Sequence, residues 1–232
     1  DWNKGVNEVP YSTELDNAYF VKGRGSIVAN QTTAPDGLTT ADKFEEDTQT
    51  GSHYVGKTAT YSSSVGDVWT AGIWVKADER TQASINIQQR NSGSFVSFTN
   101  AIFNLSTGAY ITTTSSGTQP SNVNYAITAY ANDWYLIRLN VTTTSGNQLD
   151  VLGHACRGGS ELYTGVSGYG VFFWGIHLFK GSIDAPYIPT FATAQTSDVL
   201  LPQGLTTGRD ITGVNLFENV RKQGALNLDG NS

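Results

Sequence analysis

Apolar and polar residues alternate along much of this chain, with a period of two and with Gly, Asn and Ser turns between the runs. In 68–77, Trp69, Ala71, Ile73 and Val75 fall on one face and Thr70, Trp74 and Lys76 on the other. In 83–90, Ile85 and Ile87 alternate with Asn86, Gln88 and Arg90. The run 134–142 puts Tyr135, Ile137, Leu139 and Val141 inward, with Arg138 and Asn140 outward. Residues 148–155 read as another strand, 170–179 as the last strong one, and 94–108 as a strand closed by a turn. Helical periodicity is nearly absent. The pattern predicts two packed antiparallel sheets, with Ile73, Val75, Ile85, Ile87, Ile137, Leu139, Trp174 and Ile176 in one core.

The first sixty residues are less regular. Residues 7–12 read as a first strand or arm, Ala34-Pro35-Asp36-Gly37 as a turn, and 41–44 as a strand entering the core. Glu45-Glu46-Asp47 through Gly51 reads as an exposed acidic loop, and His53-Tyr54-Val55 as the next strand. After Thr190 large apolar residues thin out, and Pro202, Gly204, Gly208 and Gly213 punctuate the chain. Residues 1–190 therefore read as one sandwich and 191–232 as a linker or extended arm. Val199, Leu200, Leu201, Leu216 and Phe217 are apolar anchors along that arm, suited to contacts between subunits in an oligomer.

Composition narrows the chemistry. A net charge of −6 with no basic run argues against nucleic acid, which needs a Lys/Arg stripe to neutralise phosphates. No apolar run reaches membrane-spanning length. Cys156 is the one cysteine, so an intrachain disulfide is excluded and Cys156 reads as a small packed side chain. His53, His154 and His177 lack zinc-site spacing, and Gly165–Gly170 precedes a strand rather than the helix a phosphate loop requires. Between Arg80 and Lys180 the acids are Asp133, Asp150 and Glu161, which offer no evident pair for glycoside hydrolysis. The expectation is that the chain is not an enzyme. If it meets a sugar, Trp74 would supply a stacking face, with Tyr54, Gln88, Arg90 and Arg138 sharing the surface.

Several short motifs, in order, carry a resemblance. Tyr11-Ser12-Thr13-Glu14 is similar to an opening Tyr-Ser-x-x-Phe. Ala34-Pro35-Asp36-Gly37 followed by Thr40-Ala41-Asp42-Lys43-Phe44 is similar to Pro-Asp-Gly-x-x-x-Ala-Asp-Lys-Leu. Trp74–Arg80 is similar to Tyr-Val-Lys-Ala-Gly-Glu-Arg, Phe103–Gly108 to Phe-Asp-Leu-Ser-Thr-Gly, and Asp133–Arg138 to Gly-Trp-Tyr-Arg. Trp174-Gly175, Gly181-Ser182 and Tyr187-Ile188-Pro189-Thr190 resemble the family's closing strand and its Tyr-Ile-Pro-Thr ending. Together these resemble the carbohydrate-binding-module-like jelly-roll domains of tailed-bacteriophage tail and virion structural proteins. Gly224–Ser232 resembles the start of a laminin-G/concanavalin-like domain, so the arm would lead into a second lectin-like domain.

The resemblance implies an all-β, two-sheet antiparallel jelly-roll sandwich with an extended C-terminal arm or linker. It implies a non-catalytic virion structural protein (tail, fibre, spike or capsid surface), located in the virion. Its partners would be other virion subunits, as a homo-oligomer, and a host-surface glycan used for attachment. The alternative is a carbohydrate-binding module of a secreted polysaccharide-degrading enzyme. The absence of a disulfide and of a leader favours the virion. Relatives often hold a structural Ca²⁺ near the terminal strands, where Glu8, Glu14, Asp16, Asp42 and Asp184 are the acids available. These read as ordinary solvated acids, and no cofactor is expected.

Overall fold

A computed structural model describes residues 6–181, 186–192 and 195–196, without the side chains of residues 59, 60, 195 and 196. The anchors Val199, Leu200, Leu201, Leu216 and Phe217, the lectin-like start at 224–232 and Asp184 lie outside the described residues. The strands are, in chain order, β1 (Val6–Asn7), β2 (Val21–Gly23), β3 (Gly25–Thr32), β4 (Ala41–Glu46), β5 (Thr50–Ser62), β6 (Val68–Ala77), β7 (Gln82–Asn91) and β8 (Ser94–Asn104). Then follow β9 (Ala109–Gly117), β10 (Ser121–Ala129), β11 (Trp134–Thr142), β12 (Gln148–Cys156), β13 (Leu162–Thr164), β14 (Gly170–Lys180) and β15 (Gln195–Thr196).

One sheet runs β10-β11-β6-β14-β4-β3. The other runs β5-β12-β7-β8-β9, with the short β2 and β13 both pairing along the outer side of β5. Every pairing is antiparallel. The fold is therefore the all-β, two-sheet antiparallel sandwich that the alternation predicts. The strongest alternating runs became β6, β7, β11, β12 and β14. Between the sheets lie Ile73, Val75, Ile137, Leu139, Phe173 and Ile176 from one side and Ile85, Ile87, Val151 and Phe103 from the other, all at most 1% exposed.

Trp174, expected in that core, lies outside it. β14 keeps Val171 and Phe173 inward, then breaks register against β6 between Trp174 and His177. Gly175 takes φ +64 there, a left-handed conformation that glycine adopts without strain. The bulge shifts the phase by one residue, so Ile176 and Leu178 return to the core. Trp174 turns outward to pack with Trp74, Trp134, Leu136, Ala34 and Ala41 in a second buried cluster.

The N-terminal segment after β1 is an arm that is stitched down. Asn7 donates from Nδ2 to the Ile188 carbonyl (2.8 Å) and accepts at Oδ1 from the Val9 and Leu178 N–H groups (3.1 and 3.2 Å). The Glu8 N–H reaches Leu178 O (2.8 Å), and Ile176 N–H reaches Ser12 O (3.0 Å). Thr190 uses its hydroxyl twice, accepting from Ser12 N–H (3.1 Å) and donating to Val9 O. Its own N–H goes to Ser12 Oγ (2.9 Å), which also meets the Tyr187 hydroxyl (2.7 Å). The Tyr-Ile-Pro-Thr motif is thus a latch: two side-chain hydroxyls, of Tyr187 and Thr190, and two backbone groups, the Ile188 carbonyl and the Thr190 N–H, hold residues 7–12 against the end of β14.

The acidic loop expected at 45–51 is a further correction. Glu46 belongs to β4 and is 2% exposed. Its carboxylate receives the Arg80 guanidinium, the Tyr163 hydroxyl (2.6 Å) and the Val166 N–H (2.7 Å). Burial alone would raise this carboxyl, but those donors outweigh it and hold it below the usual carboxylate range. Arg80 also lies between the Tyr163 and Tyr169 rings, 5.2 and 5.0 Å from their centroids. Removing one partner strands a buried charge. Arg80→Ala is expected to lower unfolding free energy by about 3–5 kcal/mol, read by denaturant titration with an unchanged m-value.

Candidate functional site

The five residues expected to share one surface divide between opposite sides of the sandwich. Trp74 and Arg138 lie on the outer face of the β10–β3 sheet. Tyr54, Gln88 and Arg90 lie on the outer face of the other sheet, on β5 and β7. No single strip contains them all.

Trp74 does point away from the core, as the alternation predicts, but it is only 5% exposed. Tyr187 (4.6 Å between centroids), Trp174 (5.3 Å), His177 (5.6 Å) and Tyr130 (6.0 Å) enclose its ring. The expectation of an open stacking face is therefore overturned, because the latch residue Tyr187 folds onto it. Gly72 is needed beside this cluster, since a Cβ there would lie 2.3 Å from His177 Nε2. Arg138 stands opposite Gly72 on β11 and is half-buried.

On the opposite face, Tyr54, His154 and Ser84 are successive cross-strand neighbours, and Asn86 faces Asn100. Tyr54 is two strands and four residues from Gln88, roughly 16 Å away at standard strand spacings. Arg90 spends its donors locally, on Asp150, on Gln88 Oε1 (3.1 Å) and on Gly93 O (3.0 Å). Asn86 Oδ1, Asn100 Oδ1 and His154 Nδ1 have no hydrogen-bond partner among the described residues, but all three atoms are sealed from solvent. A ligand on this face would not reach them.

A more open site lies at one end of the sandwich, where the stitched arm meets the ends of three strands. Glu8, Pro10, Tyr19, Tyr61, Ser62, Trp69 and Lys180 line a cleft of about 520 Å³. That size falls within the range of small-ligand sites. The Tyr19 and Tyr61 hydroxyls meet at 3.2 Å, and Lys57 Nζ lies 4.4 Å from the Tyr19 ring centroid. Trp69 is anchored through Nε1 to Ser63 Oγ (3.0 Å). Lys180 Nζ lies 5.7 Å from the Trp69 ring centroid and 2.9 Å from Asp67 Oδ2.

The two carboxyls near Lys180 differ in proton affinity. Burial raises Glu8, with Lys180 pulling the other way. At Asp67 burial also raises the carboxyl, but Lys180 and the Ser64 N–H overcome it and the net shift is downward. Aromatic edges, hydroxyls, an ammonium and carboxyls of unlike affinity together suit a polyhydroxylated ligand, which stacks and hydrogen-bonds at once. The sequence gives no local sign of this site, which draws on segments from Glu8 to Lys180.

Asp42 accepts the Leu15 and Asn30 N–H groups (2.8 and 2.9 Å) and shapes the turn after the arm. Among the described residues no group of three or more His, Cys, Asp or Glu side chains could hold a metal ion.

No protein-family model matches the chain. No curated protein matches it either. Among solved structures it is similar to the enzymatically active domain of bacteriophage CBA120 tailspike protein 4, at 10% sequence identity and a TM-score of 0.45. The match covers 75% of this chain and 21% of that one, so it spans about a fifth of that domain's length. Likeness at this level transfers no activity. That domain is nonetheless described as enzymatically active, which stands against the expectation that this chain is not an enzyme, and the expectation is withdrawn. That expectation rests on the acids between Arg80 and Lys180 alone. Glu8 and Asp67, beside the cleft, fall outside that window.

Two buried histidines set a pH dependence. Burial lowers His154 to about 3 and His177 to about 4, so both stay neutral in the fold. The unfolded chain takes up their protons below about 6.5. Their stabilising contribution is therefore complete above pH ~6.5 and is lost as pH falls towards 4 and 3. Asp42, which burial raises to about 6, acts in the opposite sense between pH ~4 and 6. His154→Gln should reduce the loss of unfolding free energy between pH 7 and 4 by roughly 1–3 kcal/mol, measured by denaturant titration at both pH values.

Proposed function

We propose that this chain is a glycan-engaging surface module of a tailed-phage tail or virion protein. The cleft carries the reading: about 520 Å³ lined by Tyr19, Tyr61 and Trp69, with Ser62, Glu8 and Lys180 supplying polar groups of both kinds. A sugar ring entering it meets the exposed part of Tyr19 and the edges of Trp69 and Tyr61. Its hydroxyls meet the tyrosine oxygens, Ser62 and the Glu8 carboxyl. The ordered motifs from Tyr11 to Thr190 support the virion setting and the division into a sandwich, residues 1–190, and a following arm. In this reading the arm, with Val199, Leu200, Leu201, Leu216 and Phe217, contacts other virion subunits in a homo-oligomer.

The test is binding of the purified chain to an array of bacterial surface polysaccharides, followed by calorimetry on any hit. Tyr19→Ala removes the most accessible ring of the cleft. It should weaken binding by about 1–3 kcal/mol while leaving the thermal midpoint within a few degrees. Reducing ends are assayed in the same samples, so that cleavage of a bound glycan is also seen. Absence of any glycan ligand, or full binding by the Tyr19 variant, would remove the cleft from the account.

A further inference from the structure

A sandwich of two open sheets has four edges, and each is a row of backbone donors and acceptors that another strand could use. Three of them are blunted here. β3 is broken by a register shift between Val28 and Thr32, with Asn30 at φ +57. The edge at β5 is shared by two three-residue strands, β2 and β13. β9 is broken where Phe103 and Ile102 face Tyr110 and Thr112, and Glu161 reaches across to Thr114 Oγ1 (3.0 Å).

The fourth edge differs. β10 breaks register early, between Ser121 and Asn124, and then pairs without interruption with β11 from Asn124 to Ala129. Among the described residues its other side forms no backbone pairing with a strand. No Asp, Glu, Lys, Arg or His occurs from Asn91 to Asn132, a stretch that contains β8, β9 and β10. The lysines that usually guard an open edge are therefore missing. Tyr125 of β10 stacks on Tyr110 of β9, with ring centroids 3.9 Å apart and planes at 11°. This pair closes the seam between the sheets while remaining 42% and 36% exposed. Val123 and Tyr130 add exposed apolar surface at either end, at 36% and 44%.

We propose that the β10 edge, Asn124–Ala129, is a self-association surface, pairing antiparallel about a two-fold axis with β10 of a second copy of this chain. Two observations select a second copy. The chain carries a net charge of −6, so two copies add least local like-charge repulsion where they meet through a region without charge, and β10 lies in the long stretch that has none. An antiparallel pair about a two-fold is also self-complementary, so one six-residue edge supplies both partners. The two six-stranded sheets would then become one continuous sheet, with the Tyr110–Tyr125 stack of each copy flanking the seam.

The experiment uses the full chain. Analytical ultracentrifugation over a range of concentrations is paired with hydrogen exchange of the same samples. Association should appear as a monomer–dimer equilibrium, with protection of the Asn124–Ala129 amides rising as dimer forms. Thr128→Lys, at an exposed position of β10, puts like charges close together across the axis. It should weaken the dimer by about tenfold or more at an unchanged melting temperature. Gln31→Lys adds the same charge on the blunted β3 edge and should leave the dimer intact. A chain that stays monomeric, a dimer insensitive to Thr128→Lys, or association without added protection of 124–129 would overturn the proposal.

Discussion

The latch between the two ends of the sandwich is the constraint on which the rest depends. Residues 7–12 make no long strand, and they would have little reason to order alone. They are fixed because Asn7, Ser12 and Thr190 exchange side-chain and backbone hydrogen bonds across more than 170 residues of sequence, at buried positions where water cannot substitute. Holding that arm places Glu8 and Pro10 in the lining of the cleft, together with Trp69 and Lys180. The same latch lays Tyr187 over Trp74 and seals an aromatic cluster that would otherwise be an open hydrophobic face. Site and stability therefore share one set of contacts.

The phase change at Gly175 complements the latch. A strict two-residue alternation carried on from Val171 and Phe173 would have left Trp174 outward as it is, but would have sent His177 into the core and Ile176 and Leu178 outward. The bulge lets one strand serve both layers: Phe173 and Ile176 fill the sandwich, while Trp174 and His177 build the outer cluster that Tyr187 closes. The latch residue, the bulge and Gly72 belong to a single packing solution, in which each side chain occupies space that another must leave.

Much of the sandwich was legible because inner-face residues of central strands have to alternate. The windows for β6, β7, β11, β12 and β14 follow from that requirement. β9 and β10 escape it: as edge strands rich in Ser and Thr they bury little, and their pattern is indistinguishable from loop. Glu46 departs from the expected acidic loop for a different reason. Two adjacent glutamates resemble a solvated face, and the partner that makes one of them a core residue, Arg80, is thirty-four positions away. The site was least legible. Trp74 was placed on the correct side of its strand, but its cover comes from Tyr187, Trp174 and Tyr130. The cleft is assembled from side chains with no shared periodicity, which only the closed fold brings together.

The claim that the latch orders the arm and thereby builds the cleft is tested most directly by residue-resolved hydrogen exchange on Thr190→Val. This variant keeps the shape of Thr190 and deletes the hydroxyl that serves both Ser12 and Val9. The account predicts faster exchange at Glu8 and Ser12, with protection of β6, β7 and β12 retained at a level set by the modest loss in global stability. Unchanged protection of the arm would contradict it, because the arm would then be held by something other than the latch.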